Sequence, residues 1–322
     1  MKIKKINIYS LYGSMDFEWE FDEKVNILAG INGAYKTTLL NIIKQVTNHE
    51  EVTYPVTSVE AEYTDGIKLT YTRKVSNVRS LLANREANRV VVEMIEKEHP
   101  EWVRGGGTTP NVQVAVVSYR EEQDGKRMGQ NTYEAVKKID YISTFDVPSE
   151  KTRESVLDEQ LTKLKERYAF YLSDLSKQVT NLFKENGNVS REQVEAINKY
   201  RDEFVTIVND NFKETGKTMS ETESDLTFEK SDNGRIDLFK LSAGEKQLMV
   251  ILLTVLLEKR QEYILLMDEP EISMHIDMQY SLIDNLQKLN PNVQVILSTH
   301  SPVIFGSGWG DKVVLADMLL KK

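Results

Sequence analysis

Three short apolar runs in this 322-residue chain are each followed directly by a polar turn. KVNILA precedes a glycine-containing loop at residues 30–38, ILLM precedes Asp268 and Glu269, and VQVILST precedes His300. Runs of this kind form buried parallel strands, and such strands carry the residues that follow them to one edge of a sheet. The sequence therefore predicts an α/β fold in which these residues meet at the carboxyl edge of a central parallel sheet.

The loop GINGAYKTT, called the phosphate loop below, leads into a stretch that reads as a helix starting at Lys36. Its backbone N–H groups and the helix N-terminus favour a bound phosphate. The loop resembles a Walker A motif, in which Lys36 would bind the β and γ phosphates of ATP and Thr37 would ligate Mg²⁺. The predicted ATP-binding residues are Gly30, Asn32, Gly33, Ala34, Tyr35, Lys36, Thr37 and Thr38.

The phosphate loop departs from the Walker A pattern at one position, where Tyr35 replaces the Gly that normally precedes the Lys. If this position needs a positive φ, a side chain there costs roughly 1–3 kcal/mol, and if φ is negative it costs nothing. The sequence leaves both conformations open. ATP is still expected to bind, because the other three motifs look intact and the remaining loop residues are in place: Gly30, Asn32, Gly33, Lys36 and Thr37.

The other two strand ends carry the residues that hydrolysis would need. ILLMDEPE resembles a Walker B strand, which implies that Asp268 holds Mg²⁺ directly or through water and that Glu269 is the general base. STHSP resembles a switch region, which implies that His300 contacts the γ-phosphate. Taken alone, the first string could be a buried strand with a solvated acidic turn, and the second could hold a structural His.

The string LSAGEKQ opens a further helix. Ser242 can cap it, Glu245 lies three residues later as in a capping box, and an apolar helical body follows. The string resembles the signature of ATP-binding-cassette ATPases. That resemblance implies that Ser242, Gly244 and Glu245 complete an ATP site held by a second subunit, in a head-to-tail homodimer around two ATP molecules.

The four motifs, taken in order, resemble the RecF, SMC and OLD group of ATPases. The likeness is greatest to small ATP-binding proteins of the OLD-like group in anti-phage and mobile-element systems, through IKKINIYSLYGSMDFEWEF, EPEISMHIDMQ and STHSPVIFGSGWGDKVV. It implies a Mg²⁺-dependent ATPase that dimerises around ATP. Since the chain has no obvious second active site, the effector that it gates is expected to be a separate protein, a nuclease or a toxin.

Two features depart from the pattern of that group. The usual Leu-His-Pro after Walker B is absent, and Asp277 could either communicate across the dimer or cap the following helix. The junction from Tyr141 to Glu150, where a Q-loop belongs, contains no Gln. Two alternatives therefore stay open: a DNA-repair or DNA-organising ATPase of the RecF or SMC type, and an ATP-locked scaffold that hydrolyses slowly.

The domain organisation is predicted as an ATPase lobe with Walker A at 1–149, a helical arm at 150–232, and a lobe with the signature and Walker B at 233–322. Apolar residues at three- and four-residue steps indicate helices at 154–183 and 191–212, joined by Asn186-Gly187-Asn188. The apolar stripe of this hairpin could pack on the signature lobe or dock another protein. Alternation at 15–21 and the turn signals Asp65-Gly66 and Asn233-Gly234 predict strands, with a mixed sheet in the first lobe.

Composition bounds the partners and the compartment. Cysteine is absent, no apolar run approaches the roughly 20 residues that cross a membrane, and the first residues read as a strand, so we expect a cytoplasmic protein without membrane contact. The net charge is −9, which argues weakly against nucleic acid as a partner. The basic residues that could still form a modest DNA-facing patch are Arg120, Lys126, Arg127, Lys137 and Lys138.

Overall fold

The computed structural model describes residues 1–86, 89–98, 100, 113–128, 139–143, 155–220, 226–230 and 234–321. The chain divides into two compact units, each assembled from separate segments. The first unit comprises Met1–Lys2, Phe21–Lys44 and Lys137–Met318, and the second comprises Ile3–Glu20, Gln45–Val136 and Leu319–Lys322. The three-part division with boundaries at 149 and 232 stays a prediction.

The elements are numbered in chain order over the described residues. The strands are β1 (Ile3–Leu11), β2 (Met15–Glu20), β3 (Val25–Ala29), β4 (Ser58–Tyr63), β5 (Ile67–Asn77), β6 (Gln113–Gln123), β7 (Lys126–Arg127), β8 (Ile139–Ser143), β9 (Lys217–Met219), β10 (Thr227–Lys230), β11 (Arg235–Asp237), β12 (Tyr263–Asp268), β13 (Val293–Thr299) and β14 (Val313–Leu315). The α-helices are α1 (Lys36–Thr47), α2 (Val78–Ala83), α3 (Arg89–Glu98), α4 (Val156–Asn186), α5 (Arg191–Phe212), α6 (Ala243–Leu257) and α7 (Ile276–Leu289).

The first unit is built on a five-stranded sheet in the order β14-β3-β13-β12-β8, in which every described pair is parallel. The expected central parallel sheet is therefore confirmed. Its register pairs Ala29 with Thr299 and Asp268 with Ser298. Because the three strands end at the same level, the residues that follow them lie side by side at the carboxyl edge.

The signature helix α6 lies inside the core of the first unit. Every residue from Gln247 to Leu257 is buried, so the helix is enclosed on all sides. It packs against α4, α5 and α7. The predicted capping box is present, since the Ser242 hydroxyl accepts the backbone N–H of Glu245 and the Glu245 carboxylate accepts the backbone N–H of Ser242.

The expected helical hairpin is formed by α4 and α5, which contact each other. Gly187 ends α4 with a φ of +75°, a conformation that favours glycine, and Ser190 starts α5 with a capping box. The stripe residues of α4 that are buried in the core are Leu157, Leu161, Leu164, Tyr168, Tyr171 and Leu175. Two further stripe residues, Val179 and Leu182, are only half-buried. Most of the stripe thus packs on the lobe that carries α6.

Two ion pairs fasten α4 to α6. Lys246 Nζ lies 2.7 Å from Asp158 Oδ1 near the start of α4, and Arg167 lies 2.9 Å from Glu258 Oε1 one residue beyond the end of α6. Glu258 is buried, so its pairing with Arg167 compensates for the loss of water around the carboxylate. The hairpin is therefore attached to the signature helix at both ends of that helix.

The second unit contains a six-stranded sheet in the order β2-β1-β4-β5-β6-β7. All its described pairs are antiparallel, so the prediction of a mixed sheet in the first lobe was wrong in this detail. Short turns such as that at Asp65-Gly66 allow only antiparallel pairing, and the parallel strand β3 belongs to the other sheet. The alternation expected for β2 is present, with Phe17 and Trp19 buried.

The remaining expectations concern smaller elements. The strands β10 and β11 that flank the turn signal at Asn233-Gly234 are antiparallel and join β9 in a three-stranded sheet, although Asn233 lies outside the described residues. The glycine-rich loop predicted at 105–110 also lies outside them. Within the described part of the chain, no helix is long and apolar enough to cross a membrane.

Candidate functional site

The phosphate loop connects the end of β3 to the start of α1, as the sequence predicted. Tyr35 adopts a φ of +62°, so this position has the positive φ that the usual Gly provides. The carbonyl oxygen of Tyr35 accepts the N–H of Leu39 at 2.8 Å and so receives the first hydrogen bond of the helix. A cost of roughly 1–3 kcal/mol is expected for a side chain in this conformation.

The other loop residues surround the start of α1. Gly30 and Gly33 also have positive φ, and a Cβ on Gly30 would lie 3.3 Å from the Cβ of Ala34, so the loop is closely wound there. Asn32, Gly33 and Thr37 are exposed, whereas Ala34 and Thr38 are half-buried.

The Lys36 ammonium lies at the centre of the site. Its side chain is buried, and Nζ donates to the carbonyl oxygens of Gly30 at 3.1 Å and Ile31 at 3.3 Å. Nζ also lies 2.8 Å from His300 Nε2. Burial lowers the pKa of Lys36, and the carboxylates of Glu269, Asp268 and Glu271 oppose that shift. A buried cation whose charge is incompletely compensated suits a bound anion.

Two oxygen ligands lie beside this lysine. Thr37 Oγ1 donates to Asp268 Oδ1 at 3.2 Å, and the hydroxyl of Ser298 also donates to Asp268. A hydroxyl and a carboxylate are hard oxygen donors of the kind that Mg²⁺ prefers, so the two residues fit that ion. Within the described residues, no group of three or more His, Cys, Asp and Glu side chains could hold a metal. Magnesium would therefore need oxygens from phosphate and water as well, as it commonly does.

The acidic turn, residues 269–274, follows β12 and brings its first carboxylate to the same place. Glu269 Oε1 lies 3.2 Å from His300 Nε2. The backbone of Glu269 has a φ of +49°, and its N–H donates to the carbonyl oxygen of Ser298 at 3.0 Å. Non-glycine residues with positive φ are often found at functional sites. Lys36, Glu269 and His300 are thus brought together by three separate strand ends.

The signature residues behave differently from one another. Ser242 is exposed at the N-terminus of α6, whereas Gly244 and Glu245 are buried. Both carboxylate oxygens of Glu245 lie 2.7 Å from Lys217 Nζ, and Oε1 also accepts the hydroxyl of Thr215 at 2.8 Å. Although burial raises the pKa of Glu245, Lys217 and the backbone N–H of Ser242 outweigh it, and the pKa is lowered. The Glu245 carboxylate is therefore occupied within its own chain.

Gly244 allows a close approach between backbones. A Cβ at this position would lie 2.1 Å from the carbonyl oxygen of Ser273, so no larger residue fits without movement. Ser273 belongs to the acidic turn and has a φ of +68°. The start of the signature helix therefore lies directly against the segment that carries Glu269.

Several residues of the site carried no role in the sequence prediction. Glu271 accepts hydrogen bonds from the segment that holds His300, and Lys217 and Thr215 hold Glu245. Glu271 belongs to the Walker B string, and its place two residues after Glu269 was a signal that could have identified it. Lys217 and Thr215 lie far from the motifs, so no signal pointed to them.

Asp277 and the Q-loop junction are the two features whose roles the sequence left undecided. Asp277 lies in the first turn of α7 beside His275 Nδ1, at 3.1 Å, and no side chain caps that helix. Of the Q-loop junction only Tyr141 to Ser143 is described, and Ser143 pairs with Asp268 across β8 and β12.

The structure gives little support to a DNA-binding role for the basic residues named above. Arg120 pairs with Glu122 at 2.6 Å in the second unit, and Lys126 and Arg127 are exposed on β7. Lys137 and Lys138 lie outside the described residues. Nucleic-acid contact by this group stays a prediction.

This chain is similar to a protein family, to a sequence relative and to solved structures. Residues 111–305, more than half of the chain, match the family described as AAA ATPase domain. A stretch of 106 residues is 32% identical to the "Retron Vc95 probable ATPase" of Vibrio cholerae serotype O1 biovar El Tor. That match covers 30% of this chain and only 20% of the relative's length.

Two solved structures of SMC heads are similar to this chain. The crystal structure of an SMC head bound to the C-winged helix domain of ScpA has a TM-score of 0.50 at 13% identity, over 95% of this chain and 92% of that chain. The SMC head domain from Thermotoga maritima has a TM-score of 0.46 at 13% identity, with coverages of 95% and 92%. The first likeness gives the fold of an SMC head, as the four motifs predicted. The chain belongs to the AAA ATPase domain family.

Proposed function

We propose that this protein is a Mg²⁺-dependent ATPase whose hydrolysis site consists of Lys36, Glu269 and His300, with Thr37 and Asp268 as the metal ligands. The observation that carries the proposal is the meeting of these groups at one sheet edge. His300 Nε2 lies within 3.2 Å of both Lys36 Nζ and Glu269 Oε1, and Thr37 lies beside Asp268.

The chemistry assigns one task to each side chain. Lys36 would leave its carbonyl partners and bind the γ-phosphate, and His300 would donate to the same group. Glu269 would hold a water molecule and take its proton as the oxygen attacks the γ-phosphorus and the bond to the β-phosphate breaks. Magnesium, when bound, would neutralise negative charge on the phosphate oxygens.

The dimer is the second part of the proposal. Ser242 is exposed at a helix N-terminus, where a phosphate from another subunit could reach it. Gly244 and Glu245 are buried, so they would not contact the phosphate and would instead fix the conformation of that terminus. A head-to-tail pair would then place the Ser242 of each subunit opposite the phosphate loop of the other.

Glu269→Gln tests the site and the dimer together. The substitution removes the base but keeps Lys36 and Asp268, so ATP should bind while hydrolysis slows by about 10²–10⁴-fold. The trapped species should be a dimer by size-exclusion chromatography with light scattering in ATP and Mg²⁺. Lys36→Ala is the matched control, because it should lose ATP affinity itself. A monomer for Glu269→Gln at saturating ATP would contradict the dimer.

We further propose that closure of the dimer around ATP controls the activity of a separate effector protein in a defence system. The retron ATPase among the relatives supports that setting, and the α4–α5 hairpin supports a route, because two ion pairs tie it to the signature helix. The expected docking surface is either this hairpin or the stretch at residues 104–130, part of which lies outside the described residues.

Co-expression with the neighbouring genes tests the effector. Affinity purification of this chain should recover a neighbour-encoded nuclease or toxin, and the purified chain alone should not cut DNA. Truncation of the hairpin between residues 176 and 202 should lose the partner but keep ATP binding. Metal-dependent cleavage by the repurified chain, or ATPase activity strongly stimulated by DNA alone, would favour a DNA-repair type of ATPase instead.

A slowly hydrolysing, ATP-locked scaffold is the second candidate. The positive φ of Tyr35 favours it, because a strained residue next to Lys36 can restrain the loop. Single-turnover hydrolysis distinguishes the two, since a scaffold would bind ATP and close without measurable release of phosphate.

A further inference from the structure

The hydrogen bonds of Glu271 have no role in the reaction proposed above. Its Oε1 accepts hydrogen bonds from the Thr299 hydroxyl at 2.7 Å, the His300 backbone N–H at 2.7 Å and the Ser301 backbone N–H at 3.2 Å. Residues 299–301, called the switch loop below, are therefore held by a single carboxylate oxygen.

The geometry of these bonds fixes the direction of the histidine. Two successive peptide N–H groups, on either side of the His300 side chain, point at the same oxygen. Bonds to an ionised acceptor are roughly twice as strong as those between neutral groups. The imidazole is consequently held where its Nε2 reaches Lys36 and Glu269.

The second oxygen of Glu271 adds a free-energy cost to this arrangement. Oε2 is buried and has no hydrogen-bond partner within the described residues. A buried carboxylate oxygen without a donor costs free energy, so the three bonds to Oε1 have to hold the group in place. Such a cost is tolerated where the orientation of the group matters.

Gln279 supplies a second link between the same two segments. Its side chain donates to the Met274 carbonyl oxygen at 2.9 Å and accepts the Ser301 hydroxyl at 2.7 Å. The acidic turn and the switch loop are thus connected twice, by a carboxylate and by an amide.

The acidic turn is also where the signature helix arrives. The Ser273 carbonyl oxygen would lie 2.1 Å from a Cβ on Gly244, and the Met274 N–H donates to the Glu271 carbonyl oxygen at 2.9 Å. A continuous series of contacts therefore runs from Gly244 through Ser273 to Glu271 and on to His300.

We propose that Glu271 is a positioning residue, which holds His300 in place for hydrolysis and ties its position to the signature helix of the same chain. The inference rests on the proposed function, because it assigns His300 to the γ-phosphate. Glu271 itself touches neither phosphate nor water in this scheme, and it acts through the backbone of the switch loop.

Hydrogen exchange tests the positioning without nucleotide. In the nucleotide-free protein, the amides of His300 and Ser301 should exchange about tenfold faster in Glu271→Ala than in wild type, because both donors lose their acceptor. Glu271→Gln keeps one acceptor oxygen and should give an intermediate rate. Glu258→Gln is the matched control: it alters a buried carboxylate that pairs with Arg167, so the two amides should exchange as in wild type.

Steady-state kinetics test the consequence for the reaction. Glu271→Ala should lower kcat about tenfold or more with KM for ATP within threefold of wild type, since the phosphate loop is intact. Glu271→Gln should recover part of kcat, and Glu258→Gln should keep it.

The outcomes distinguish a failure of the proposed ATPase function from a failure of the role of Glu271. If wild type hydrolyses no ATP, the proposed function fails while the exchange experiment still tests the anchoring by Glu271. If the two amides exchange in Glu271→Ala as in wild type, or if they exchange faster with kcat unchanged, the inference is overturned. If Glu271→Ala does not fold, Glu271→Gln decides, and wild-type exchange and kcat in that variant would overturn it.

Discussion

At the scale of single residues, the backbone of Tyr35 is strained. Its φ of +62° is unfavourable for a side chain, yet the phosphate loop needs that conformation to start α1. Glu269 and Ser273 also have positive φ, and both lie in the turn after β12. The strained positions of this site thus surround the place where phosphate would bind, which is where strain is commonly found in enzymes.

Tyr35→Gly is expected to leave the fold intact and to raise ATP turnover. The side chain is exposed, so little packing is lost, and removing it frees the backbone of the loop. Stability should change by no more than about 1 kcal/mol, because the relief of strain offsets the greater freedom of glycine in the unfolded chain.

The measurements are kcat, the Kd for ATP and the free energy of unfolding in urea. Tyr35→Phe is the control, since it keeps the ring and the strained backbone, and it should not raise turnover. Equal or lower turnover in Tyr35→Gly at unchanged affinity would mean that the ring itself contributes to the site.

At the scale of elements, the start of α6 and the acidic turn are packed backbone against backbone. Gly244→Ala should therefore destabilise the protein by about 1–3 kcal/mol, because the new methyl group would lie 2.1 Å from the Ser273 oxygen. Hydrolysis should fall as well, since the displaced turn carries Glu269. Gly310→Ala is a fair comparison, as a Cβ there meets nothing within 4 Å. Equal melting temperatures for the two variants would contradict the contact.

The link between β9 and the signature helix is electrostatic and should depend on pH. The pKa of Glu245 is lowered in the folded protein, so its ionised form contributes stability above its usual value near 4.5, and that stability is lost as the pH falls through the folded pKa. Lys217→Met leaves a buried carboxylate unpaired at neutral pH and should cost about 3 kcal/mol.

Urea unfolding of wild type and Lys217→Met between pH 7 and pH 3 checks this expectation. The difference in unfolding free energy should be largest at pH 7 and should shrink as the pH falls below about 4.5, the usual pKa of Glu245, and on through its lowered folded pKa. Lys199→Met, at an exposed lysine of α5, should show no such dependence. A constant difference across the range would rule out Glu245 as its source.

For the whole molecule, sequence reasoning succeeded where a local pattern decides the structure. Apolar runs gave the parallel strands, and Ser242 with Glu245 gave the capping box, because both depend on neighbouring residues. The φ of Tyr35 stayed open, since the residue type does not decide the sign of φ there, and the pairing of Glu245 with Lys217 could not be predicted, since it joins segments distant in the chain. The antiparallel hairpin at Asp65-Gly66 was predicted from its turn, but that β3 belongs to a different sheet was not, because neither alternation nor a turn says which distant strand is the partner.

The order of strands in the first unit has a consequence for how the site is made. Among the described strands, β3, which leads into the phosphate loop, pairs with β13 and β14, and both follow it by most of the chain. During synthesis the loop therefore emerges long before the strands that pair with β3, and β13 is the first of these to be made. A chain truncated before β13 should therefore bind ATP weakly, because the strand that leads into its phosphate loop would lack these two partners.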